Sequence, residues 1–210
     1  MKQVIPYSSM QDALSSLDNG GRFYNIFTKA GDGKVDPAEL SKVAGIIGDR
    51  QRMFLFYELA LSNLEQSAVN EVQSALSPEL NQQYQLNRPK NYKPSEVQQL
   101  GSAGEAVIIS GYPKVIDARD KLTGFIMVPI MAGKVMTFTM IPIIEKFHVY
   151  ELYDEPSGTT FIIAHAKSDA PLPSNYFTFA GVLKELKQDK TGAKSEELFL
   201  EAFYYVEGEQ

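Results

Sequence analysis

The sequence predicts an α+β chain, with a helical N-terminal part followed by an antiparallel β-barrel or sandwich. Three observations carry that expectation. Apolar residues recur at helical spacing as far as about residue 80. The stretch 81–102 is rich in Gln, Asn, Lys and Pro, with little periodicity. Beyond it nearly every segment has the β-branched and aromatic character of a strand, with no helical pattern between. The expected organisation is a helical domain over 1–80, a linker over 81–102 and a β domain over 103–210.

The chain has 210 residues, 44% of them apolar and 11% aromatic, enough for a substantial core. Its formal charge of -6 and pI near 5.0 weigh against wrapping a nucleic-acid backbone, which calls for a basic footprint. The absence of cysteine excludes disulfides, thiolate nucleophiles and cysteine-ligated zinc. The opening residues lack a continuous apolar run and cleavage site, so the expected compartment is cytoplasmic.

In chain order, Ser8 to Leu17 reads as a short amphipathic helix stopped by Asp18, Asn19, Gly20 and Gly21. Arg50 to Asn63 carries Met53, Phe54, Phe56, Tyr57, Leu59, Ala60 and Leu61, apolar nearly all round, and is expected at the centre of the helical part. Helical pattern continues through Val69, Val72 and Leu76, and Ser77-Pro78-Glu79 opens one more turn.

The segment FYNIFTKAGDGKVDPAEL, Phe23 to Leu40, carries the most specific chemical idea. Counting a twelve-residue loop from Thr28 puts Asp32 at position 5, Gly33 at the sharp turn of position 6 and Lys34 at position 7, where only a backbone carbonyl is needed. Val35 follows at position 8, Asp36 at position 9 and Glu39 at position 12. The unit over 21–47 thus resembles a degenerate EF-hand. The resemblance implies a calcium site on Thr28, Asp32, Lys34, Asp36 and Glu39. Thr28 and Ala30 replace the aspartates of positions 1 and 3, so calcium binding is expected to be weak or absent. Asp36, Pro37, Ala38 and Glu39 equally form a capping box with proline at the first helical position. The resemblance also implies pairing through Val35. With no second loop in the chain, the unit is expected either unpaired against the long apolar helix or paired across a homodimer.

Strands are expected at Ala106–Ser110, Lys114–Ala118, Gly124–Ile130, Val135–Ile144, Phe147–Tyr153, Thr159–Ala166, Tyr176–Leu186 and Glu197–Val206. Leu122 to Ile144 is long enough to cross a bilayer. Pro129, Gly133 and Pro142 divide it, so two buried strands are expected instead of a membrane span. The ending from Phe177 resembles the last hairpin of an OB-fold, with Gly181 at a bend and a variable loop before the final strand. That resemblance implies an oligonucleotide or small-ligand site. Tyr150, Tyr153, Tyr176, Phe177, Phe179, Tyr204 and Tyr205 could stack bases, although ten Lys/Arg against fifteen Asp/Glu after residue 100 argue against nucleic acid.

Counting back from Tyr153 opposite Thr159 sets His148 opposite Ala164, which would put His148 and His165 on opposite faces. No nucleophile elbow, phosphate loop or dinucleotide fingerprint is present, and no enzyme is indicated. The expected role is non-enzymatic: a binding or regulatory protein, calcium-responsive through the EF-hand-like unit, with a protein partner or a second copy. The competing reading is an OB-like barrel that binds an oligonucleotide or small ligand, the helical part being structural.

Overall fold

The computed structural model describes residues 1–20, 29–115, 124–132, 135–142, 147–154, 158–167, 171–188 and 196–208. These form a mixed α+β protein of two compact units, Lys2–Lys90 and Asn91–Gln210, with Met1 counted to the second.

The first unit opens on β1 (Lys2–Gln3) and holds α1 (Met10–Leu17), α2 (Pro37–Ala44), α3 (Arg50–Ala60), α4 (Gln66–Ser74) and α5 (Pro78–Asn87). The starts of α1, α2, α3 and α5 are fixed by local groups. Ser9 Oγ accepts from Asp12 N, Asp49 from Arg52 N, and Ser77 Oγ from Leu80 N, while Pro37 and Pro78 take first-turn positions where a missing N–H costs nothing. As the all-round apolar pattern predicts, α3 is central: Met53, Phe54, Leu55, Phe56, Tyr57, Leu59 and Ala60 are all buried. Ala13, Leu17, Val35, Leu40, Val72, Leu76, Leu80 and Tyr84 pack into the same core. Each large apolar side chain so buried contributes roughly 1.5–3 kcal/mol.

The second unit contains α6 (Pro94–Leu100) and the strands β3 (Ala106–Val115), β4 (Gly124–Ala132), β5 (Val135–Pro142), β6 (Phe147–Asp154), β7 (Thr159–Ala166), β8 (Phe177–Gln188) and β9 (Glu196–Glu207). The stretch 81–102, expected as a linker, therefore holds most of α5, β2 (Lys90–Tyr92) and α6. Its polar residues cover the exposed faces of short helices, whose few buried anchors (Tyr84, Pro94, Val97) leave too little periodicity to read.

Five ladders form a circuit. β3 pairs β6, β6 pairs β7 and β8 pairs both β3 and β9, all antiparallel, while β7 pairs β9 in parallel. The last ladder comprises only Ile163↔Leu200 and Ala164↔Glu201, so the β unit is not a fully closed barrel. Val107, Ile109, Tyr150, Leu152, Phe161, Ile163, Phe177, Phe179, Leu183, Leu198 and Leu200 fill the inside. Helix α6 adds Val97 to that core, and the Gln98 amide closes two bonds with the Leu198 backbone at 2.8 and 3.0 Å.

The expected strand Ala106–Ser110 and the start of the expected strand Lys114–Ala118 merge into β3, while residues 116–118 lie outside the described residues. Gly111 and Pro113 look like a break, but a Cβ at Gly111 would lie 2.6 Å from Tyr153 O, so close strand approach requires the glycine. Pro113 sits beyond Gly111↔Phe177, where the β3–β8 ladder has ended and no N–H is needed on that edge. Residues 124–132 and 135–142 form the antiparallel β4–β5 ribbon, and among the described residues no helix is long and apolar enough to cross a membrane.

Candidate functional site

The calcium loop expected in the helical unit is only partly in view, since Thr28 and the incoming helix lie outside the described residues. The described remainder gives the EF-hand resemblance no support. Glu39 is fully buried. Its Oε1 accepts from Gly20 N at 2.5 Å and its Oε2 from Asp36 N at 2.9 Å, so both carboxylate oxygens serve the backbone. Burial raises its pKa, the two N–H bonds offset this in part, and the charges of Asp18 and Asp36 add to the rise. Asp32 is exposed and accepts from Lys34 N at 3.0 Å. Asp36 starts α2 and, with Pro37, Ala38, Ser41, Ile47, Gly48 and Glu79, lines a cleft of about 400 Å³.

Asp18, which the sequence marks only as a helix stop, holds the loop instead. Its Oδ1 accepts from Gly31 N and Asp32 N at 2.8 and 3.3 Å, and its Oδ2 from Gly33 N at 2.7 Å. Gly31 and Gly33 reach this geometry with φ of 74° and 79°, which other residues resist. Among the described residues no group of three or more carboxylates or histidines is arranged to hold a metal ion.

Val35 is neither unpaired nor free to pair with a second copy. Its N–H donates to Ala75 O at 2.8 Å and its carbonyl accepts from Ser77 N at 2.9 Å, a parallel bridge to Leu76 within the unit. The starts of α2 and α5 are thereby set side by side. The sequence signal was the pair VDPAEL and LSPEL, two apolar–cap–proline–glutamate patterns.

In the β unit, Asp154 rather than Tyr153 faces Thr159, which moves the register by one residue and sets His148 opposite His165. The rings share a face, with centroids 5.2 Å apart, correcting the expected separation. His165 is buried, its Nδ1 lies 3.1 Å from Ala166 O and its Nε2 3.3 Å from the Tyr150 hydroxyl, which also accepts from Leu172 N at 3.0 Å. These contacts fit a neutral ring carrying its proton on Nδ1. Burial pushes the His165 pKa down to about 4, partly offset by the Ala166 carbonyl, with the N-terminal amine and His148 lowering it further.

That depression has a pH consequence. The unfolded chain binds a proton at His165 from about pH 6.5 downward while the folded chain resists until about pH 4, so stability falls across that window. The loss is expected to reach about 3 kcal/mol below pH 4. Comparing the urea midpoints of the protein and its His165→Gln variant from pH 7 to pH 4.5 tests it. A variant that loses as much stability as the parent would remove His165 as the cause.

Of the aromatics expected to stack a ligand, Tyr150, Phe177, Phe179 and Tyr204 are buried, and Tyr205 is half-buried against the inner core. Tyr153 is exposed and Tyr176 half-buried. Register adds a residue that sequence reasoning missed: Tyr112 lies directly opposite Tyr153 on the outward face of β3 and β6. The Tyr112 and Tyr176 rings meet edge to face with centroids 5.1 Å apart. Exposed Lys114 faces Glu151 one pair along the same face, and exposed Thr160 faces Tyr153 from β7. The result is a surface of three tyrosines with little net charge, suited to the faces of planar rings.

Fold and site together define a mixed α+β protein with a curled sheet in which four antiparallel ladders and one short parallel ladder form a circuit. No family model matches the chain, and no curated protein matches it. Among solved structures it is similar to the N-terminal domain of an archaeal MCM, at 12% identity and a TM-score of 0.40, over 83% of this chain and 85% of that one.

Proposed function

We propose that the protein is a non-enzymatic binding protein whose β unit is an OB-type barrel, taking a short single-stranded oligonucleotide on the tyrosine surface of β3 and β6. The helical unit is structural in this reading. The observation that supports it is the order β3–β6–β7–β9–β8 with one parallel ladder between β7 and β9, the arrangement of a partly open OB barrel. Such barrels use the face of their second and third strands, here β6 and β7, for oligonucleotides. Tyr112, Tyr153 and Tyr176 supply the stacking, and Lys114 a cation for a phosphate.

The acidity of the chain sets the mode: contact is by stacking, over a few nucleotides, with a shallow dependence on salt. Calcium is no part of this proposal, because Glu39 already gives both oxygens to backbone N–H groups. Fluorescence anisotropy of a labelled short oligothymidine, titrated at low and moderate salt, is the test. Tyr112→Ala and Tyr153→Ala are each expected to weaken binding by roughly 5- to 150-fold, the value of one stacked base. Absence of binding at low salt, or binding indifferent to both substitutions, would sink the reading.

A further inference from the structure

We infer that the free edge of β5 is a self-association surface, pairing antiparallel with β5 of a second copy of this chain about a two-fold axis through Phe138. The β4–β5 ribbon runs from Phe125↔Pro142 to Ala132↔Val135, while β4 meets β8 only at Gly124↔Gln188 and Phe125↔Lys187. Among the described residues, the ribbon therefore has two strands along most of its length, and β5 ends the sheet. A two-stranded ribbon is marginal in water, and a long uncharged edge is a template for another strand.

The two edges of the ribbon are not treated alike. β4 carries Pro129, which protects its outer edge in the manner of natural edge strands. β5 has no proline before Pro142, no glycine and no charge. Pro129 is opposite Phe138. Lacking an N–H, it suits a pair that exchanges no ladder bonds, which turns the N–H and C=O of Phe138 to the open edge, with those of Met136 and Met140.

The sequence of that edge is what selects a second copy as its occupant. Val135–Met136–Thr137–Phe138–Thr139–Met140–Ile141 reads nearly the same in both directions. A two-fold axis at Phe138 sets Phe138 against its own counterpart, Thr137 against Thr139, Met136 against Met140 and Val135 against Ile141. Like residue types face each other throughout, and no like charges meet. Self-pairing of one patch is the defining property of a two-fold interface, and the pairing would convert two ribbons into one four-stranded sheet. The homodimer expected through Val35 is thus relocated to an edge that, among the described residues, pairs with no further strand.

Light scattering and sedimentation of the full chain test this. The parent is expected at twice the 23.4 kDa chain mass at micromolar concentration. Phe138→Lys and Phe138→Glu, each placing like charges on the axis, should weaken the dimer roughly tenfold or more. Mixing those two variants should restore it, which also shows that both chains fold. A second pair checks the register: Met136→Lys with Met140→Glu in one chain should keep the dimer, and Met136→Lys with Met140→Lys should lose it. A monomeric parent, variants as dimeric as the parent, or a mixture that stays monomeric would overturn the assignment.

Discussion

Replacing Gly181 with valine is expected to cost the β unit about 4 kcal/mol or more, a large share of the stability of a typical domain. At Ala180/Gly181 the β8–β9 ladder shifts register, and the backbones approach so closely that a Cβ at position 181 would lie 2.2 Å from Glu201 O and 2.9 Å from Ala202 Cα. The obstructing atoms are backbone in the longest ladder of the unit, so no rotamer change relieves the clash. Moving β9 away would open the pairing on which the circuit depends. Alanine meets the same atoms and is expected to cost nearly as much. Urea unfolding followed by near-UV circular dichroism measures it, and a Gly181→Ala midpoint indistinguishable from the parent would refute the argument.

Gly181 also shows what kind of information the sequence carried. A lone glycine inside a strand pattern marks a bulge or close approach, and both occur there. The all-round apolar run of α3 and the positions of β6, β7 and β9 were legible because periodicity and burial act locally. Features that depend on pairing between distant segments were not. A one-residue change in the β6–β7 register decided whether His148 met Ala164 or His165, and Tyr112 entered the tyrosine surface only through its register with Tyr153. In the helical unit, DGKVDPAE fits both a calcium loop and a capped helix start. The choice rests on Asp18 and Gly20, residues outside that pattern, reaching into it.

Glu39→Ala is expected to destabilise the helical unit by about 3 kcal/mol, with no dependence on calcium. The substitution leaves Gly20 N and Asp36 N without their buried acceptor, and each unsatisfied buried donor costs about 1–3 kcal/mol. Relief of the buried charge returns part of that, since burial is the largest influence on the Glu39 carboxyl and raises its pKa. Glu39→Gln separates the two effects. Its amide keeps the size but offers one oxygen to two N–H donors and sets an NH₂ against the other, so it is expected to remain well below the parent. The pH dependence is opposite to that of His165. A raised carboxyl pKa makes the folded chain bind its proton first, so Glu39 adds stability as pH falls from the folded pKa to the unfolded value, and the gain is lost again on raising the pH. Acidification thus favours the helical unit through Glu39 while it weakens the β unit through His165. Segment-resolved hydrogen exchange at two pH values should show protection moving in opposite directions in α2 and β7, and Glu39→Gln should abolish the change in α2 alone. A calcium-dependent rise in the parent's protection, absent from Glu39→Gln, would instead mean that this carboxylate leaves the backbone for a metal ion.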